Sequence, residues 1–411
     1  MAGIAEAVGR IVGPEAGVEL RAYDGSRYGP TDADVRITLR SPRALAYLAR
    51  ASTELGLARA YVTGELVVEG DLYAVLDRLG GGQFARPAAR DRLAFLPAAL
   101  RRAPLPPQEV GGTLLRRGLR HARGRDARVI SHHYDVSNRF YAMVLGPSMA
   151  YTCAVFPDPD VSLGDAQAEK FDLVCRKLDL RPGRRLLDVG CGWGGMVLHA
   201  VKHYGVTALG VTLSRQQAEW AAKAIAEEGL TEYAEVRHQD YRDVTETGFD
   251  AVSSIGLTEH IGVRNHPAYF EFLHDRLRPG GRLLNHAIMR PTTTEPTFWP
   301  KGFINRYVFP DGELTGVGRV ISAMQDSGFE PRHAENLREH YALTLAAWCR
   351  NLDRNWDAAV EEVGVGTARV WALYMAACRL AFERDRIQLH QVLGVRDDGG
   401  VSGMPLRPSW T

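Results

Sequence analysis

Lysine is close to missing from this chain. Lys170, Lys177, Lys202, Lys223 and Lys301 are the only five among 50 basic residues, so the other 45 are arginine. Forty-nine acidic residues balance them to a formal charge of +1. With no net field of either sign, the bulk charge gives no hint of a nucleic-acid partner, and none is expected. The five cysteines (Cys153, Cys175, Cys191, Cys349 and Cys378) are odd in number and scattered. With no CxxC pair and no His/Cys cluster, neither a zinc site nor a disulfide framework is expected. The opening MAGIAEAVGRIVGPEAG has no basic segment followed by a long apolar core, so it reads as no signal peptide. Nor does any run approach the roughly 18–20 apolar residues that span a bilayer. These absences predict a cytoplasmic protein, one still free to touch a membrane surface.

The 411 residues, 45% hydrophobic and 24% charged, are ordinary for a globular chain and allow two domains. Residues 1–100 carry their own pattern. VRITLRS (35–41) alternates as a strand does, SPRALAYLARAS follows as a capped helix, and LARAYVTGELVVEGDLYAVLDRL reads helix, turn, strand, helix. This predicts a small α+β domain. Residues 101–129 are Arg-rich, with prolines and glycines, and form a linker. It is either a solvated connector or a surface drawn to anionic headgroups, where each basic side chain contributes about 1 kcal/mol.

Residues 130–411 alternate β and α. The strands are RRLLDV, TALGVTLS, AEVRHQD, FDAVSSIGL and GRLLNHAIM, with helices such as SRQQAEWAAKAIAEEG and AYFEFLHDRLRPG between them. That spacing predicts an α/β fold, a doubly wound parallel sheet covered on both faces. IQLHQVLGV (387–395) is a candidate late strand, and residues 291–325 read as an insertion over the top edge of the sheet.

Gly190, Gly192 and Gly194 follow the buried strand LLDV and precede a helix, a place where backbone can approach a ligand beside a helix N-terminus. The spacing is not GxGxxG, which argues against a standard dinucleotide site. DVGCGWG instead resembles the cofactor loop of class I S-adenosylmethionine-dependent methyltransferases, a Rossmann-like fold. One departure stands out: the second strand ends GVTLS, without the acidic residue that usually binds the ribose.

DVGCGWGG, GVTLSRQQ, QDYRD, SSIGLTEHIG and HHYDVSNRFY…YTCAVF together resemble the cyclopropane fatty acid synthase family, over most of 130–395 and in the family's order. LGLARAYVTGELVVEGDL resembles the N-terminal domain of its longer members. The resemblance implies methylation of the cis double bond of an unsaturated acyl chain on a membrane phospholipid. It implies cofactor contacts at Tyr151, Thr152, Gly190, Gly192, Gly194, Thr212, Leu213, Gln217, Asp240 and Tyr241, with His133 shaping the cofactor lid. It also implies a bicarbonate ion held by Cys153, Glu259, His286, Ile288 and Tyr341, as the catalytic set.

The chemistry of these residue types fits. An alkene is a poor nucleophile, so the methyl donor must be held close and in line in a dry pocket. The resulting cation must lose a proton to a weak base. AVSSIGLTEHIG delivers Glu259 at the carboxyl end of an apolar strand, and His286 follows the next strand, where open α/β sheets bind ligands. His260 is expected to be structural. Cyclopropane-forming members usually have aromatics where Thr258 and Val155 stand. GLTEHIG and FINRYVFPDGELTGVG resemble instead the actinobacterial subgroup that makes 10-methylene chains. A flavin- or NADPH-dependent reductase partner would then give the 10-methyl branch. A cyclopropane synthase is the alternative enzyme, and a lipid-binding protein without turnover is the alternative from another class. A small-molecule or protein methyltransferase would leave the N-terminal domain and basic linker without a role. Peripheral association with the inner face of the membrane is expected, and the sequence allows a homodimer.

Overall fold

The computed structural model describes residues 3–13, 17–80, 103–109, 120–134, 136–300 and 302–410. Much of the Arg-rich stretch and the side chain of His133 lie outside the described residues. Two compact units emerge: Met1–Arg116 with Trp299–Pro310 and Leu352–Ala381, and Arg117–Phe298 with Asp311–Asn351 and Phe382–Thr411. This differs from contiguous domains divided at residues 100 and 129. Aromatic packing is the reason, since it recruits distant segments into the first unit. Phe309 packs edge-on to Tyr374 at 5.9 Å, and Arg379 sits 3.7 Å over the Tyr73 ring.

The first unit is built on a four-stranded sheet, with β1 Glu19–Ala22, β2 Arg27–Tyr28, β3 Arg36–Leu39 and β4 Leu66–Glu69 in the order β2-β1-β3-β4. Alternation in β3 buries Ile37 and Leu39, as the sequence pattern predicts. Ser41 then caps the helix Pro42–Arg50, its hydroxyl accepting the Arg43 N–H at 3.1 Å. Asp71 does the same for Leu72–Arg78.

The second unit carries a seven-stranded sheet in the order β10-β11-β9-β8-β5-β6-β7. Its strands are β5 Arg185–Val189, β6 Thr207–Thr212, β7 Ala234–His238, β8 Phe249–Ile255, β9 Leu277–Met289, β10 Phe329–Asn336 and β11 Gln388–Arg396. The first five are parallel, and β11 enters antiparallel between β9 and β10. Leu187, Val189 and Val252 are fully buried, as strands covered on both faces require. Helices Leu163–Lys177 and Gly195–Tyr204 cover one face. On the other lie His266–Arg276 and Val317–Asp326.

Two expectations change. The segment 291–325 is not wholly an insertion: Val317–Asp326 is a regular covering helix that buries Val320 and Met324. FEPRHAEN forms β10, which its polar composition hides, because as an edge strand it buries little beyond Phe329.

Candidate active site

The chain leaving β5 must reverse at once to start the helix Gly195–Tyr204. Gly190 and Gly194 make the reversal at φ of 80° and 83°. The N–H groups of Gly190 and Cys191 both donate to the Val211 carbonyl, at 2.9 and 3.0 Å, tying the turn to β6. A Cβ on Gly194 would stand 2.8 Å from that of Ala221, so this glycine serves packing against the helix Arg215–Glu227. At Gly192 a Cβ would meet nothing within 4 Å, and this residue faces a cavity at the carboxyl end of the sheet.

Of the expected cofactor contacts, Tyr151, Thr152, Gly190, Gly192 and Gln217 line that cavity. Thr212, Leu213, Asp240, Tyr241 and Gly194 do not. Thr212 acts on Gln217 instead: its hydroxyl donates to Oε1 of Gln217 at 2.8 Å. The Leu213 carbonyl accepts from His238 Nε2 at 3.1 Å. The carboxylate of Asp240 is engaged by the Arg242 guanidinium at 2.8 and 2.6 Å. Tyr241 packs edge-on to Tyr269 at 5.1 Å, and the Tyr269 hydroxyl lies 2.7 Å from that of Ser254.

The cavity also holds residues that motif reading missed, notably Lys170, Asp188 and Trp193. Lys170 lies on the helix Leu163–Lys177, which Ser162 caps. Gln167, Lys170, Val174 and Lys177 fall at helical spacing and are all buried, so one face of this helix carries polar groups into the core. Gln167 donates to the Thr152 carbonyl at 2.9 Å and Lys170 to the Thr152 hydroxyl at 3.0 Å. Burial pushes the Lys170 ammonium down to about 7 and the Asp188 carboxyl up to about 6, even though Ser253 donates to Asp188 at 2.6 Å. Two of only five lysines, Lys170 and Lys177, at helical spacing on one face was the available signal.

A second cluster lies at the ends of β8 and β9. The short helix Thr258–Ile261 follows β8 and turns Glu259 toward β9, where Oε1 accepts the Ile288 N–H at 2.7 Å. Ile288 therefore spends its N–H on Glu259. Oε2 of Glu259 is buried with no hydrogen-bond partner among the described residues. Burial raises this carboxyl to about 7. His286 precedes Ile288 by two residues and so shares its face of β9. Its Nδ1 meets Gln391 at 3.2 Å, its Nε2 has no partner among the described residues, and burial holds the imidazole well below its ordinary pKa.

Cys153 and Tyr341 meet at one carbonyl. The Leu337 oxygen accepts the Tyr341 N–H at 3.2 Å and lies 3.8 Å from Cys153 Sγ. The Leu337 N–H in turn donates to Leu389 at 2.8 Å, and Leu389 is the register partner of Ile288. Backbone contacts thus tie the segments carrying Cys153 and Tyr341 to β11, the strand paired with the part of β9 that carries His286 and Ile288. Burial pushes the Cys153 thiol far up, so it is neutral. His260 belongs elsewhere: its carbonyl takes His121 Nδ1 at 3.0 Å.

A run of rings links the two clusters. Trp193 contacts Tyr141 at 4.7 Å, Tyr141 contacts Tyr151 at 5.8 Å, and Tyr151 contacts Trp348 at 5.4 Å. Trp348 meets Tyr341 edge-on at 6.1 Å.

A sheet of this order, with a glycine turn and cavity at its carboxyl end, is the architecture of class I S-adenosylmethionine-dependent methyltransferases. The solved mycolic acid cyclopropane synthase CmaA1 complexed with SAH and CTAB is similar over 66% of this chain and 98% of its own, with a TM-score of 0.62 and 30% identity. Residues 121–392 match the family described as mycolic acid cyclopropane synthetase, and the chain belongs to that family. It is thus a methyltransferase of this fold. The probable fatty acid methyltransferase Rv3720 of Mycobacterium tuberculosis is 55% identical over 406 residues, 96% of this chain and 94% of that protein. The cyclopropane-fatty-acyl-phospholipid synthase of Escherichia coli K12 is 36% identical over 262 residues, 64% of this chain and 66% of that protein.

Proposed function

We propose that this protein methylates the cis double bond of oleoyl-type chains on membrane phospholipids, with the 10-methylene chain as product. The observation that carries the reading is the pair of unpartnered buried atoms, Glu259 Oε2 and His286 Nε2. A carboxylate oxygen accepts and a neutral imidazole N–H donates, so the pair fits a small oxyanion that also carries a hydroxyl. Bicarbonate is such an ion, and when bound it supplies the weak base for proton loss. S-adenosylmethionine supplies the methyl group, and the cavity beside Gly192, Tyr151 and Gln217 suits it.

The chain's own residues then have separate tasks. Glu259 orients the anion by accepting its hydroxyl proton. Ile288 holds Glu259 in place. Cys153, kept as a neutral thiol, offers no strong nucleophile to quench a substrate cation. The ring series from Trp193 to Tyr341, buried except at the half-buried Tyr151, excludes water.

Thr258 is buried at the start of its helix and Val155 is partly buried, so neither places an aromatic face beside a cation. Loss of a methyl proton at once would close a cyclopropane; a 1,2-hydride shift first gives the exocyclic methylene. A reductase using a flavin or NADPH would complete the methyl branch. Attachment to the inner face of the membrane would bring the acyl chains within reach. Among the described residues no helix is long and apolar enough to cross a membrane.

Incubation with isotopically labelled S-adenosylmethionine and dioleoyl phospholipid, followed by mass spectrometry of the derivatised chains, tests the reading. A labelled methylene product is expected. A ring product alone would reject the methylene assignment, and no labelled lipid would reject the substrate class.

A further inference from the structure

Three sealed side chains from three elements form a relay whose last member is His286. Nζ of Lys177, the last residue of the helix Leu163–Lys177, donates to Oε1 of Gln391 at 2.7 Å. Nε2 of Gln391 lies 3.2 Å from Nδ1 of His286. Lys177 and Gln391 are 0% exposed and His286 is 1% exposed. Gln391 on β11 and His286 on β9 are direct register partners, so the sheet itself sets their contact. Glu335 on β10 forms an ion pair with the same ammonium, holding Lys177 from the far side of β11.

Hydrogen-bond chemistry permits one arrangement. An ammonium has only donors, so the Gln391 atom that faces it is the carbonyl oxygen. The amide nitrogen, which has only donors, therefore faces Nδ1 of His286, and Nδ1 must present its lone pair. A neutral imidazole has one N–H, which is left on Nε2.

We infer that Lys177 and Gln391 are positioning residues that hold His286 as its Nε2–H tautomer, so that the site presents a fixed donor. Glu259 Oε2 then supplies the acceptor and His286 Nε2 the donor, a pair of opposite polarity. Without the relay the two tautomers of His286 would compete, and the Nδ1–H form would turn a lone pair toward an anion. The consequence for the anion rests on the function proposed above; the tautomer does not.

The test uses the full-length protein labelled with 15N-histidine and two-bond 1H–15N spectra, with His286→Gln identifying the signal. The wild-type signal is expected to have the Nε2–H pattern. Gln391→Glu places a carboxylate against Nδ1, so a proton should appear there. Turnover should then fall on the order of 10–100-fold, as for other orienting partners, with cofactor affinity unchanged. Lys177→Met should give mixed tautomers, and Lys177→Arg should restore the wild-type pattern. A wild-type Nδ1–H signal overturns the proposal, as does a Gln391→Glu protein with unchanged tautomer and turnover. Should the variants fail to fold, the wild-type spectrum decides. Bicarbonate depletion separates the two ideas: an Nε2–H pattern with turnover indifferent to bicarbonate supports the relay and rejects the anion reading alone.

Discussion

The Ile288 N–H reaches Oε1 of Glu259 across 2.7 Å, and Oε2 of the same carboxylate is buried with no partner among the described residues. One oxygen is thereby fixed by backbone and the other makes no such bond. The carboxyl is raised from 4.5 to about 7 by burial, and this sets two pH dependences.

The first concerns turnover. Below pH 7 Glu259 is protonated and cannot accept a hydroxyl proton, so the rate should rise with pH through an apparent pKa near 7. Glu259→Gln should lose on the order of 100-fold and flatten the profile. A variant with wild-type turnover would remove Glu259 from the site.

Stability should move the other way. Because the folded-state pKa lies above the unfolded one, the unfolded chain releases its proton first. Wild-type stability is therefore lost as pH rises from 4.5 to about 7. Without added ligands, Glu259→Gln should be the more stable protein at pH 8, by up to about 3 kcal/mol, with no difference at pH 4. Urea titrations at both values measure the gap.

Lys170 has the opposite slope. Its ammonium is lowered from 10.5 to about 7, so between these values the unfolded chain holds the extra proton and wild-type stability rises with pH. Lys170→Met should be more stable at pH 7 by on the order of 1–4 kcal/mol, and the advantage should shrink toward pH 10. An equal gap at both values would place the ammonium in water.

The two glycines of the turn should separate stability from ligand binding. Gly194→Ala meets Ala221 at 2.8 Å with φ at 83°, and should cost about 2–4 kcal/mol. Gly192→Ala faces the cavity and should cost only about 1–2 kcal/mol while weakening cofactor binding. Calorimetry of both variants, with and without cofactor, compares the two losses.

Membrane attachment has its own signature. If the Arg-rich segment 101–129 carries it, binding to anionic vesicles should weaken steeply between about 0.01 and 0.15 M salt, as screening shortens the Debye length. Sedimentation with phosphatidylglycerol vesicles measures this, and binding that ignores salt would exclude the segment.

The parallel strands were legible because burial on both faces writes them as apolar runs such as LLDV and AVSSI. FEPRHAEN was not, since an edge strand needs no such run. The capped helix after Ser41 announced itself through local chemistry. The helix Trp356–Glu383 gave no sign that most of it packs with the first unit, because its ring partners lie far away in sequence.

The sequence alone determined the order of the five parallel strands, the glycine turn at 190–194, and the arrival of Glu259 and His286 at strand ends. These features depend on neighbours a few residues apart. Tertiary structure decided what each group does there: that Ile288 binds Glu259, that Lys170 joins the cavity, and that Gln391 stands opposite His286. The last contact spans 105 residues. Strand pairing, which no local pattern encodes, brings those residues together, and burial then sets their protonation.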